Sequence, residues 1–163
     1  MFRAGIITVS DKGAAGLRED KSGLEIKKIL TEAGIQVAYQ QLVADEQKQI
    51  EKLLIEACDN GVCDLLLTTG GTGLSKRDVT PEATKAIAEK EVPGISEAMR
   101  AYSMKITPRG MLSRGVSVIR KNTLIINLPG SVKAVRENLE AILPALDHGL
   151  KILTNQESEC GAP

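Results

Sequence analysis

The stretch Thr68-Thr69-Gly70-Gly71-Thr72-Gly73 follows directly on the apolar run Leu65-Leu66-Leu67, as a strand would that ends in an anion cradle. Glycines let a backbone turn with positive φ and come close to a ligand, while free N–H groups and threonine hydroxyls bind phosphate oxygens. Five residues beyond Gly73 stands Asp78, within Lys76-Arg77-Asp78-Val79-Thr80-Pro81-Glu82. A carboxylate beside a phosphate cradle repels the substrate unless a cation bridges the two, which suggests a magnesium-dependent phosphate reaction. No Gly-Lys-Ser/Thr closes the loop as in a Walker A motif, and no Gly-x-Gly-x-x-Gly stands near the first strand. Ordinary NTPase and dehydrogenase readings lose ground accordingly. The competing reading of the glycines is a tight chain reversal that binds nothing.

Such a loop needs elements to position it, and apolar strands alternate along the chain with amphipathic helices. Ala4 to Val9, Ile35 to Leu42 and Leu65 to Thr68 read as strands, with helices over Gly23 to Ala33 and Glu46 to Cys58 between them. Helices around Pro81 to Glu89 and from Ile95 to Tyr102 come next. Val116 to Arg120 and Thr123 to Asn127, joined by Lys121-Asn122, predict a hairpin. A long helix follows from Val132 to about Leu153, with an interruption expected at Pro144. The alternation predicts a mostly parallel sheet with helices on both faces.

Polar residues collect where the strands should end: Ser10-Asp11, Ala44-Asp45-Glu46, the glycine loop, and Leu128-Pro129-Gly130-Ser131. Four such turns can surround one pocket, since ligands in open α/β sheets sit at the carboxyl ends of strands. Ser131 is placed to cap the last helix, whose free N–H groups attract anions, so capping and ligand binding both remain open for it. Asp45 reads locally as the N-cap of the helix that follows.

Composition bounds the rest. A chain of 163 residues, 42% hydrophobic and 26% charged, fits one domain over residues 1–153 with a flexible tail over 154–163. Its 21 basic and 21 acidic side chains give no electrostatic case for nucleic acid, and Phe2, Tyr39 and Tyr102 are too few aromatics for a base-stacking platform. No apolar segment approaches the roughly 20 residues of a membrane span, and no signal peptide is apparent, so a cytoplasmic protein is expected. Cys58, Cys63 and Cys160 read as reduced thiols, because no zinc-site spacing is present, and the sole histidine, His148, reads as structural from its place on the terminal helix.

The run TTGGTGLSKRDVTPEAT, Thr68 to Thr84, resembles the signature of the molybdopterin adenylyltransferase family, the MogA/MoaB-type proteins and the N-terminal domain of gephyrin. Ile7-Thr8-Val9-Ser10-Asp11, Asp20-Lys21-Ser22-Gly23, Val43-Ala44-Asp45-Glu46, Met111-Leu112-Ser113-Arg114 and Ile125-Ile126-Asn127-Leu128-Pro129-Gly130-Ser131 resemble further family motifs in the same order. The resemblance runs from about residue 4 to residue 153. It implies a three-layer α/β fold, usually a homotrimer, that joins molybdopterin to AMP from ATP with Mg2+ and releases pyrophosphate, and that has a downstream molybdate-inserting protein as a possible partner.

Carried over by position, Asp45 and Asp78 match the two carboxylates of catalysis and metal binding. Gly70, Gly71, Thr72 and Gly73 match the pterin-phosphate loop, and Pro129, Gly130 and Ser131 a second substrate loop, with Ser10, Asp11, Thr69 and Ser113 as further substrate contacts. Ala44 departs from the proline common at its position. Lys76 and Arg77 read equally as solvated surface and as phosphate ligands. A noncatalytic pterin-binding or scaffold protein would keep the same loop, and a general nucleotide-binding module would bind ATP alone.

Overall fold

A computed structural model describes residues 1–156. Residues 157–163, most of the expected tail and with them Cys160, lie outside the described residues. The first strand, β1 (Arg3–Val9), is followed by a short helix α1 (Asp11–Ala14), then α2 (Lys21–Glu32), β2 (Gln36–Val43), α3 (Gln47–Asp59) and β3 (Leu65–Thr69). Helix α4 (Thr80–Ala86), strand β4 (Lys90–Glu91) and helix α5 (Pro93–Ile106) come next, followed by a 3-10 turn at Pro108–Leu112. The hairpin β5 (Ser117–Arg120) and β6 (Thr123–Leu128) leads into α6 (Val132–Leu153).

The strands form one sheet in the order β2-β1-β3-β6-β5-β4. The first four are parallel, and the hairpin expected from sequence makes β5 antiparallel to β6, with β4 antiparallel to β5 beyond it. Alternate side chains along a strand point to opposite faces. Ile6, Leu65, Leu67 and Ile126 therefore enter a core under α2, α5 and α6, while Ile7, Leu66 and Ile125 enter a second core under α3 and α4. This is the three-layer architecture that strand and helix alternation predicts. It also explains why β3 reads as unbroken leucine, since a central parallel strand is covered on both faces.

Several boundaries differ from the sequence reading. Ser10-Asp11 opens a four-residue helix instead of a plain turn, because the Ser10 hydroxyl accepts the Gly13 N–H at 3.0 Å. The helix read as far as Glu89 ends at Ala86, and Lys90–Glu91 pairs at the sheet edge. Two exposed, charged residues carry no period-2 signal that sequence could register. Helix α6 continues through Pro144. One lost backbone donor is outweighed there by Leu139, Ile142, Leu146 and Leu150, all buried on either side of the proline. Cys58 and Cys63 are buried free thiols, and burial pushes them up to about 11 and about 12, so neither is a nucleophile at neutral pH.

Candidate active site

The register of the parallel strands decides where chemistry can occur. Val9 pairs with Val43, Thr8 with Thr69, and Thr69 with Leu128, so four strands end in one line. From β1 the chain passes through α2 to β2 on one side, then returns through α3 on the opposite face to β3 on the other side. The carboxyl ends of β1 and β3 thus flank the point where the winding reverses, where open α/β sheets leave a crevice. A cleft of about 850 Å³ lies there.

Of the residues singled out from sequence, Ser10, Asp45, Thr69, Gly70, Gly71, Asp78, Gly130 and Ser131 line this cleft. They come from four separate loops, and a few contacts hold them together. Gly70 and Gly71 have φ of +96° and +66°, a region that L side chains rarely adopt. The Thr80 hydroxyl donates to the Gly70 carbonyl at 2.9 Å and the Thr80 N–H to the Gly71 carbonyl at 3.1 Å. Thr69 donates through Oγ1 to the Pro129 carbonyl at 2.8 Å, tying the glycine loop to the loop that precedes α6. Ser131 is the cap of α6 and also lines the cleft, which leaves it free to meet a ligand. Its Oγ accepts the Ala134 N–H at 3.2 Å as the cap of α6, and the residue faces the cleft beside Val132.

Beneath the glycines lies a buried amide. Asn127 donates through Nδ2 to the hydroxyls of Thr68 and Thr84, each at 2.9 Å, and accepts the Val116 N–H at 3.1 Å. Thr84 in turn donates to the Thr80 carbonyl. Asn127→Leu leaves the part-buried Val116 N–H without its acceptor and strips two buried hydroxyls of a donor, so a loss of about 2 to 3 kcal/mol is expected, read as a lowered urea midpoint. An unchanged midpoint would show that this network does not anchor the loop.

Asp45 is not an N-cap. Glu46 takes that position on α3 and makes no side-chain capping bond, whereas the Asp45 carboxylate accepts the Asp11 N–H at 2.8 Å through Oδ2. Asp11 returns the contact, its Oδ1 accepting the Asp45 N–H at 3.0 Å. Arg77 closes the arrangement by donating to Asp11 from Nε and Nη2 at 3.0 and 2.9 Å, and by pairing through Nη1 with Glu46 at 2.8 Å. Its guanidinium therefore holds loops together and is neither loosely solvated nor aimed at a phosphate. The Arg77 side chain, then the Asp45 N–H, hold the Asp11 carboxyl below the usual carboxylate range. Burial pushes Asp45 the other way, with the charges of Asp11 and Asp78 adding to the rise.

A divalent cation suits this donor set. Asp45 Oδ1 and Asp78 Oδ1 accept no hydrogen bond among the described residues, while the other oxygen of each is held by a backbone N–H, from Asp11 and Ser75 respectively. The charge on Asp45 is one that the fold alone disfavours. Among the described residues no three histidine, cysteine or acidic side chains are grouped to hold a metal. Mg2+ sites need no such group, since the ion keeps water ligands and is commonly held by one or two carboxylates plus substrate phosphates.

Asp11, Thr72, Gly73, Ser113 and Pro129 do not line the cleft. Asp11 is engaged by Arg77, the Pro129 carbonyl by Thr69, and the Ser113 Oγ accepts the Gly115 N–H at 3.4 Å. Thr72 is buried behind the loop. The cleft also takes in Arg18, Asp20, Lys21 and Leu42, which the sequence reading does not single out as site residues. Asp20 caps α2 through the Gly23 N–H at 2.8 Å and accepts the Thr8 hydroxyl at 2.7 Å. The capping pattern of Asp20 three residues before Gly23 is the available signal for this wall. Arg18 and Lys21 line the same wall, together with Glu19 and Asp20, so its charges balance.

Comparison with known proteins agrees with this geometry. Residues 5–148 match the family described as a probable molybdopterin binding domain. The chain is 45% identical to the molybdopterin adenylyltransferase of Helicobacter pylori strain 26695, over 91% of this chain and 86% of that protein. It is 40% identical to gephyrin of Dictyostelium discoideum, over 93% of this chain and 22% of that much longer protein. The crystal structure of the molybdopterin biosynthesis enzyme MoaB from Thermus thermophilus superposes with a TM-score of 0.90 at 50% identity, covering 95% of this chain and 98% of that one. With the fold and most of its length shared, the chain belongs to the molybdopterin adenylyltransferase family.

Proposed function

We infer that this protein is a molybdopterin adenylyltransferase, a nucleotidyltransferase of molybdenum cofactor biosynthesis. The observation that carries the reading is the meeting of the glycine cradle, the N-terminus of α6 and two carboxylates in one cleft of about 850 Å³. In the reaction an oxygen of the molybdopterin phosphate attacks the α-phosphorus of ATP. The bond from that phosphorus to the bridging oxygen breaks, and pyrophosphate leaves with the electron pair. Both reactants are anionic, so the protein must supply positive potential where they meet.

The N–H groups of the glycine loop and of the first turn of α6 receive phosphate oxygens. Arg18 and Lys21, which also line the cleft, are the cations within reach of a bound anion there. Asp45 and Asp78 would hold Mg2+, which when bound offsets phosphate charge at the reacting centre. The acceptor phosphate must be held in line with the α-phosphorus and water is not held there, so ATP hydrolysis alone should be negligible. A homotrimer, a cytoplasmic location and transfer of the product to a molybdate-inserting protein complete the proposal. Among the described residues no helix is long and apolar enough to cross a membrane.

The test follows pyrophosphate release from ATP with and without molybdopterin, and with the metal removed by EDTA. Release is expected only when pterin and Mg2+ are both present, and to return when Mg2+ is restored. Equal release with and without the pterin would overturn the reading.

A further inference from the structure

We propose that Arg114 is a positioning residue that fixes where the Asp78 carboxylate stands in the cleft. The proposal deepens the adenylyltransferase reading and rests on it for the role of Asp78. Between Gly73 and Asp78 the chain has no buried side chain, because Leu74, Ser75, Lys76 and Arg77 are all exposed. Apolar packing therefore cannot hold this segment, and hydrogen bonds must do so. Within the turn itself the Asp78 N–H donates to the Ser75 carbonyl at 3.0 Å, and the Ser75 N–H to Asp78 Oδ2 at 2.9 Å. These two bonds set the shape of the turn but not its place in the molecule.

Arg77 fixes the outer side of the turn through Asp11 and Glu46. Arg114 fixes the inner side. Its backbone N–H donates to the Thr72 carbonyl at 2.9 Å, its Nε to the Gly73 carbonyl at 2.7 Å, and its Nη2 to the Asp78 carbonyl at 2.7 Å. Nη1 and Nη2 also engage the two carboxylate oxygens of Glu82 on α4. One guanidinium thus grips both ends of the segment and anchors them to the helix that follows. A lysine cannot do this, because a single ammonium lacks the planar fork that reaches two carbonyls and a carboxylate together. Arg114 does not line the cleft, and its donors are directed at protein acceptors, so it acts through Asp78 and touches no substrate.

The part of the cradle that lines the cleft, Gly70 and Gly71, is held by other contacts, from Thr80 to both residues and from the Gly70 N–H to the Leu128 carbonyl. Arg114→Lys and Arg114→Met should therefore lower the single-turnover rate about 10- to 100-fold, the size expected when a reacting group is displaced by about 1 Å. Molybdopterin affinity should stay within about threefold of wild type. In an Asp78→Asn background the same substitutions should change the rate by less than about threefold, since the group being positioned is already lost. A full single-variant effect in that background would overturn the proposal, as would a rate unchanged by both Arg114 substitutions.

Amide hydrogen exchange supplies a readout independent of turnover. In either Arg114 variant the Ser75 and Asp78 amides should exchange at least about tenfold faster, while core amides of β3 keep their protection. Wild-type protection at Ser75 in both variants would overturn the proposal. If the wild-type protein released no pyrophosphate with molybdopterin, the adenylyltransferase reading would fail, and Ser75 exchange would still decide whether Arg114 holds the turn.

Discussion

Asp78→Asn and Asp45→Asn are each expected to lower single-turnover adenylylation by about 100-fold or more while leaving the fold nearly intact. The magnitude is that of losing one preorganised electrostatic contact at a reacting centre. The structure explains why folding should survive. The carbonyl oxygen of an asparagine at position 78 can still accept the Ser75 N–H, and one at position 45 can still accept the Asp11 N–H. The Asp45 N–H also keeps its bond to Asp11 Oδ1, which involves no side-chain atom of Asp45. Only the negative charge is removed. Because burial already disfavours that charge at Asp45, the Asp45→Asn variant should unfold at the wild-type temperature or slightly above it. Pterin should bind both variants at least as well as wild type, since removing a like charge near an anionic ligand relieves repulsion. Calorimetric titration with molybdopterin, thermal unfolding and single-turnover assays on the two variants check all three statements. Full activity in Asp78→Asn would remove the central residue from the mechanism.

The second large effect is expected at Gly70. Gly70→Ala places a methyl group 2.3 Å from the Val9 carbonyl oxygen, in a backbone already at φ +96°. Both the dihedral and the clash are with main chain, which has no rotamer to change. The loop must move away from β1, and the cradle with it. Turnover should fall by about 100-fold or more, because a displacement of about 1 Å suffices for that. Stability should fall by about 1 to 3 kcal/mol, the range for a residue held in a sparsely populated region. Gly61 is the control. It has φ +60° with open space around its Cβ position, and it lies by the amino-terminal end of β3, away from the cleft. Gly61→Ala should lower stability by about 1 kcal/mol with unchanged turnover. Comparing the two variants by urea unfolding and by pyrophosphate release separates dihedral strain from damage to the cradle. Equal turnover in Gly70→Ala and Gly61→Ala would mean that the glycine loop is only a chain reversal.

Much of this site was legible because its signals are local. A leucine run buried on both faces, glycines at its end and Pro81 in the first turn of α4 each report the conformation of their own few residues. Asp78 could be read with them, since its meaning depends on a cradle five residues away. Asp45 could not be read from its neighbours. Asp before a helix signals an N-cap, yet its carboxylate binds Asp11, 34 residues earlier in the chain. Arg77 was ambiguous and Arg114 carried no assigned role for the same reason, because their partners at positions 11, 46, 73 and 82 come from other elements. These two arginines, through Asp11 and through the Asp78 carbonyl, are the parts that hold Asp45 and Asp78 in place.

Periodicity and turn chemistry are short-range and the family motifs are contiguous runs, so the order of strands and helices, the three-layer arrangement and the family are all written along the chain. That β2, β1, β3 and β6 end in one line, and that the winding reverses between β1 and β3, emerges only when the sheet is assembled. Assembly likewise settles which polar residues face the resulting cleft and which are spent in holding it: Ser131 and Asp45 face it, while Asp11 and Arg114 hold it. A side chain's role depends on the potential and the donors around it. Those are set by strand register and by which faces α2 and α3 cover, quantities that no single stretch of sequence contains.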